Sequence, residues 1–321
     1  MKTQVLFVTE KWCDANPKLA LTNNFHNLFR SFENSRPDCT YNTLHLDECS
    51  MIYGSHVDNI IPEYCKVFDT KIIFYSLLGL SKYNPSIATF KKVKSLGVKQ
   101  CIMWPDTGPG WGVSVINQIG DAVDLNILWD NPTSDFHNSV INSLQRTLSL
   151  WVPQDNTMFC DNEKTIDVSF IGSDRYPDRK MYIDFLLKES KKNDINFIFS
   201  GGQREEKLSV KQYADLIKSS KIGINFSGNP GGFHQCKGRV YEILSSKSML
   251  LENVNDSTRK LFTPGIDYIE FNSPQDLIEK IKYYLLHEEE RIKIANNGYN
   301  KYISNYSSKI FWDTIIDKLY E

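Results

Sequence analysis

The sequence predicts an α/β protein made of two successive doubly wound domains, each a parallel sheet with helices on both faces. Three observations lead there. Short apolar blocks rich in Val, Ile and Phe alternate with amphipathic stretches of helical period along the chain, the pattern of buried parallel strands joined by crossover helices. The alternation pauses once, at the polar, proline-containing stretch Val152-Pro153-Gln154-Asp155-Asn156, and then restarts. The length of 321 residues, 41% of them hydrophobic, suits two cores better than one. The expected boundaries are 1–152 for the first domain, 153–306 for the second and 307–321 for a terminal helix.

In the first domain Gln4–Thr9 is a strand, an apolar block with β-branched residues. Leu19–Phe32 carries Leu21, Phe25, Leu28, Phe29 and Phe32 at helical spacing. Tyr41–Leu46 alternates as a second strand, Val57–Phe68 is helical, and Lys71–Leu77 is a third strand. Pro85–Leu96 is a helix with an outer face of lysines, stopped by Gly97. Lys99–Trp104 is the fourth strand, Trp111–Ile119 a short helix, Val123–Trp129 the fifth strand, Ser139–Arg146 a helix and Thr147–Val152 the sixth strand.

In the second domain the strands are Ile166–Ile171, Ile195–Phe199, Lys221–Phe226, Ser248–Leu251 and Ile266–Phe271. Helices are expected at Lys180–Lys191, Ser209–Ser219, after Phe233-His234 in the stretch that carries Arg239 to Leu244, at Pro274–His287, at Glu288–Tyr302 and at Ser308–Leu319.

Composition excludes several functions. A formal net charge of −2 and a pI near 6.3 provide no global basic field for nucleic acid or anionic lipid. Seven cysteines without a C-x-x-C pair argue against zinc ribbons and thioredoxin-like sites, and reduced thiols are expected. The apolar block Val5–Val8 is too short for a signal peptide, and no apolar run has membrane-spanning length, so a cytoplasmic protein is expected. The P-loop, H-E-x-x-H, G-x-S-x-G and metal-holding D-x-D patterns are absent.

The chemistry concentrates in Gly228–Glu252. A run rich in Gly and Asn leads into a helix that carries Val240, Ile243 and Leu244 on one side, with Arg239 and Glu242 three apart on another. A glycine-rich turn opening a helix aims free backbone N–H groups and the positive dipole end outward. Lys237 and Arg239 add charge-assisted donors suited to a diphosphate, and Glu242 can accept from vicinal hydroxyls such as those of a ribose. An isolated surface Arg–Glu pair reads the same way; the surroundings favour the ligand. Three strand ends carry Gly or Ser, at Gly172-Ser173, Ser200-Gly201-Gly202 and Ser227-Gly228, where the main chain approaches a ligand closely. In open α/β sheets ligands bind outside these carboxyl ends. On the first domain, Asp106 in Trp104-Pro105-Asp106-Thr107-Gly108-Pro109-Gly110-Trp111 follows a strand. It can bind or deprotonate an acceptor hydroxyl, with Trp104 and Trp111 stacking on a ring; the competing reading is a helix-capping turn with both tryptophans in the core.

Residues 200–302 resemble the C-terminal half of group-1-type glycosyltransferases, in particular the CgeB-like branch. The resemblance rests on Tyr213-Ala214-Asp215-Leu216, Ser220–Asn225, Arg239-Val240-Tyr241-Glu242-Ile243-Leu244, Phe262–Tyr268, Pro274–Leu277 and Ala295–Gly298. It implies a GT-B fold, with two facing Rossmann-like domains. The second holds a sugar nucleotide, the first holds the acceptor, and the last helix crosses back to the first domain with Phe311 and Trp312 as anchors; plain core packing is the other reading of those two side chains. By position Arg239 takes the diphosphate and Glu242 the ribose. Gly172 and Ser173, with Arg175 or Arg179, line the phosphate side, and Gly201, Gly202 and Tyr213 lie near the base. The branch also tends to have an aspartate near Asp106. One departure stands out: many retaining relatives have a glutamate eight residues before the second one, and here that position is His234. Imidazole hydrogen-bonds a sugar hydroxyl or a phosphate, but it does not put a carboxylate opposite an oxocarbenium ion; a helix-start or packing role is the other reading.

The expectation is therefore a metal-independent, cofactor-free, retaining glycosyltransferase. It would move a hexose from a UDP-sugar such as UDP-glucose to an acceptor hydroxyl, with Asp106, His234 and Arg239 as catalytic groups. The acceptor would be a glycan, a lipid-linked sugar, a protein or a modified nucleobase. The rivals are a GT-B-shaped nucleotide-sugar-binding protein that has lost transfer and a UDP-sugar epimerase on the same plan.

Overall fold

The structure, a computed structural model, describes residues 2–18, 21–77, 81–105, 111–129, 147–201, 208–228 and 234–321. The expected helix Ser139–Arg146 lies outside them. The chain divides into two compact units, Met1–Trp151 with Ser308–Glu321, and Val152–Ser307.

The first unit is a six-stranded sheet of β1 (Thr3–Thr9), β2 (Cys39–His45), β3 (Ile72–Ser76), β4 (Lys99–Trp104), β5 (Leu125–Leu128) and β6 (Thr147–Ser149). Their order is β2-β1-β3-β4-β5-β6, every pair parallel. Alternation along the strands divides the side chains between two cores. Leu6, Val8, Ile73, Tyr75, Ile102 and Trp104 face a layer that includes α3 (Val57–Val67), α4 (Ile87–Ser95) and α5 (Trp111–Ile119). Phe7 and Phe74, paired across β1 and β3, face the other way. There they meet Phe32 of α1 (Ser31–Ser35) and Trp312 of the C-terminal helix α12 (Ser308–Tyr320), with Trp312 5.1 Å from Phe74 and 4.9 Å from Phe32. The Trp312 indole donates to Ser31 Oγ at 3.0 Å, so its N–H is satisfied inside the core. The helix expected over Leu19–Phe32 is shorter and partly π-helical, Phe25–Arg30 running into α1, and the helix α2 (Leu46–Met51) was not anticipated.

The second unit is a five-stranded parallel sheet of β7 (Ile166–Ile171), β8 (Phe197–Ser200), β9 (Ser220–Asn225), β10 (Met249–Asn253) and β11 (Ile269–Phe271), ordered β11-β10-β9-β7-β8. Val168, Phe170, Ile222, Ile224, Met249, Leu251 and Phe271 form one core with α6 (Pro177–Lys192), α10 (Pro274–Leu286) and α11 (Glu288–Tyr306). The opposite face receives α7 (Val210–Lys218), opened by a Ser209/Gln212 capping box, and α8 (Gly238–Ser245). Gly223 brings α8 onto β9: a Cβ there would lie 2.7 Å from Ile243. Lys164 ties the ends of both helices by donating to Lys218 O at 2.8 Å and Ser246 O at 2.6 Å, and burial lowers its pKa to about 8.

Candidate functional site

The sheet order places the carboxyl ends of β10, β9, β7 and β8 side by side, with the start of α8 beside them. β7 runs into Gly172, whose N–H donates to Ser200 O at 2.8 Å. A Cβ on Gly172 would lie 2.7 Å from Arg239 Nη2, so the guanidinium occupies the space that glycine leaves free. Gly201 has φ +106°, and a Cβ there would sit 3.1 Å from the Gly172 amide nitrogen. Lys237, the residue preceding α8, makes no side-chain cap; the Val240 N–H donates to Lys237 O at 3.0 Å, and the helix start presents its positive dipole end.

Two guanidinium groups meet here. Arg239 Nη1 donates to Asn225 Oδ1 at 2.9 Å, and its guanidinium lies 5.2 Å from the centre of the Phe170 ring. Arg179, from α6, donates to Ser173 O at 2.9 Å and Phe226 O at 3.3 Å and stacks 4.7 Å from the Tyr176 ring. The Nε of each arginine is buried without a hydrogen-bond partner. Burial, and then the positive charge of Arg239, lower the pKa of Arg179. Behind both lies Glu252, fully buried at the end of β10. It accepts from Ser227 Oγ at 2.6 Å, Asn225 Nδ2 at 2.7 Å and Asn255 Nδ2 at 3.2 Å. Burial pushes the Glu252 carboxyl up to about 7, against the pull of those donors and of Arg239 and Arg179.

One turn further along α8, Glu242 is buried and accepts from the Tyr213 hydroxyl of α7. Burial raises both pKa values, most for Tyr213, where the carboxylate adds to burial and Arg239 opposes it. Arg239, Glu242, Tyr213, Gly172, Ser173, Gly201 and Arg179 are thus gathered at one end of one sheet. Lys237 Nζ donates to Gln235 Oε1 at 2.7 Å, and Arg175 is exposed. His234 is exposed as well; its backbone bridges Gly228 and accepts from Ser257 Oγ at 2.9 Å.

Trp104 corrects the reading of the first domain. It is fully buried, with its indole donating to Asn126 Oδ1 at 3.0 Å, so no ring face is open to a sugar. Asp106 and Gly202 lie outside the described residues, as does the side chain of Trp111 at the start of α5. Asn225 and Glu252 were missed. Each is a polar residue at or next to the carboxyl end of an apolar strand, which was the available signal.

Residues 161–317 match the family model described as glycosyl transferase-like. No curated protein matches this sequence. Solved structures do. An alpha-glucosyltransferase in complex with UDP and a 13-mer DNA containing an HMU base aligns with TM-score 0.64 at 10% identity, covering 100% of both chains. HepE from Anabaena, in complex with UDP, aligns with TM-score 0.59 at 10% identity over 99% of each chain. Sucrose-phosphate synthase from Thermosynechococcus elongatus aligns with TM-score 0.60 at 8% identity, again over 99% of each. The chain has the GT-B fold. Its matched segment contains every strand of the second GT-B sheet and the whole arginine cluster. Among the described residues, no helix is long and apolar enough to cross a membrane.

Proposed function

We infer that this GT-B protein is a glycosyltransferase that moves a hexose from a UDP-sugar such as UDP-glucose to an acceptor hydroxyl, with retention and without a metal ion. The observation that carries the reading is the guanidinium of Arg239 seated on Gly172 at the open start of α8, inside the segment matched to the family. Uridine is supported by HepE, solved with UDP and with UDP-glucose.

In this reading Arg239 and the first-turn amides of α8 hold the diphosphate. Gly172, Ser173 and Arg179 line its other side, with Lys237 and Arg175 at the edge. Glu242, steadied by Tyr213, accepts from the ribose hydroxyls, and Gly201 and Gly202 border the base. The acceptor hydroxyl attacks on the face that the diphosphate leaves, and the departing phosphate oxygen takes its proton. Fixed positive groups stabilise the charge growing on that oxygen. His234 hydrogen-bonds the donor sugar or phosphate, and Asp106 orients the acceptor. A glycan, a lipid-linked sugar or a protein suits the acidic chain (pI near 6.3) better than DNA does, although the alpha-glucosyltransferase relative was solved with DNA.

The test is incubation with UDP-glucose without acceptor, with and without EDTA. Slow release of UDP and α-glucose in both conditions supports the reading. Loss of turnover in EDTA overturns metal independence, a new UDP-sugar isomer supports an epimerase, and binding without turnover supports a binding protein.

A further inference from the structure

Glu252 is fully buried, and it sits one side chain away from Arg239. The link is directional. A guanidinium only donates, a carboxylate only accepts, and the Asn225 amide has one end of each kind. Arg239 donates to Asn225 Oδ1 at 2.9 Å and Asn225 Nδ2 donates to Glu252 at 2.7 Å, so the two ends together fix the orientation of the amide. The remaining partners of Glu252 are the donors Ser227 Oγ and Asn255 Nδ2. A carboxylate that receives several donors in the interior is held there by a nearby positive charge, and here two arginines supply it.

We propose that Glu252 is the internal counter-anion and positioning residue of the donor site. In the empty site it holds Arg239 through Asn225 and balances the two guanidinium groups; when a diphosphate takes over those groups, Glu252 takes up a proton from solvent. This rests on reading the site as one for a nucleoside-diphosphate sugar. The physical reason is charge balance. Two guanidinium groups and the buried carboxylates of Glu252 and Glu242 sum to zero, and a dianionic diphosphate turns the sum negative inside a protein. Glu242 is engaged by the Tyr213 hydroxyl, and the group that relieves the excess near neutral pH is Glu252. Arg239 faces it from α8, Arg179 from α6, the Cys236 thiol from the segment before α8 and Tyr268 from the turn before β11. Burial pushes the Cys236 thiol up to about 12, and burial and Glu270 hold Tyr268 above its ordinary value, so neither exchanges a proton in that range. A protonated Glu252 can donate to Ser227 Oγ, whose hydroxyl accepts as readily as it donates.

The experiment is calorimetric titration of the intact protein with UDP-glucose at about pH 7.5 in buffers of different ionisation enthalpy. UDP-glucose lacks the titrating terminal phosphate of UDP, so it contributes no proton of its own near this pH. The expected result is an observed enthalpy that varies with the buffer in the sense of net proton uptake. That dependence vanishes in Glu252→Gln, and Asn225→Ala binds about tenfold more weakly for loss of the hydrogen-bond link. Binding by wild type with no buffer dependence overturns the proposal and leaves the donor assignment standing. Buffer dependence that persists in a folded Glu252→Gln also overturns it. If wild type fails to bind UDP-glucose, the reading of the site falls and the proposal falls with it.

Discussion

Arg239 spends one N–H on Asn225 and keeps its Nε buried and unpartnered, which is costly unless a ligand completes the site. Arg239→Ala is therefore expected to weaken UDP by about 10–100-fold, read by calorimetry, without altering the circular dichroism spectrum. Gly172→Ala tests the same contact from the other side. Its Cβ would displace the guanidinium, the part best able to yield, and about a tenfold loss of affinity is expected. Glu252 also makes a prediction about stability. Burial pushes its carboxyl from the ordinary glutamate value of 4.5 up to about 7 in the folded chain. Between these values the folded chain holds a proton that the unfolded chain has released. Its contribution is fully present below 4.5 and is lost as the pH rises through about 7. Urea unfolding from about pH 5 to about pH 8 should show this decline in wild type, and a flatter profile in Glu252→Gln. Legibility at this scale followed the backbone. Gly172, Gly201, Arg239 and Glu242 stand at strand ends or a helix start, where spacing along the chain already implies a place. The Asn225–Glu252 link joins residues 27 apart across neighbouring strands, and no local pattern records it. Trp104 misled because a tryptophan closing a strand looks the same whether its indole meets a ligand or, as here, Asn126.

Strands and helices were easier to read because periodicity is local. β4, β7 and α5 have the bounds that the apolar pattern gave. The stretch before α1 deviates, since Phe29 and Phe32 pack on Phe7 through a π-helical turn instead of a regular one. Two packing contacts lend themselves to tests. Trp312 fills the aromatic core under α12, and Trp312→Ala should cost about 3–5 kcal/mol in chemical denaturation. Gly298 lies inside α11, where helix propensity alone favours alanine by about 1 kcal/mol. A Cβ there would stand 2.4 Å from the backbone oxygen of Asp267 and 2.6 Å from Leu244. Gly298→Ala should therefore destabilise the second unit by about 1–3 kcal/mol, the opposite of the propensity argument.

At the scale of the whole molecule, alternating apolar and amphipathic segments with one pause give two parallel-sheet units, the second carrying the arginine cluster. The acceptor side was less legible: Trp104, read as a stacking ring, is core, and Asp106 lies outside the described residues. We propose that the carboxyl ends of β7 to β10 and the start of α8 form a cradle for a sugar-bearing diphosphate. A crystal structure of the intact chain with bound UDP tests it most directly. Diphosphate oxygens are expected within hydrogen-bonding distance of Arg239 and of the α8 first-turn amides, with the ribose hydroxyls on Glu242. UDP bound with its phosphates elsewhere, and Arg239 touching no phosphate oxygen, would contradict it.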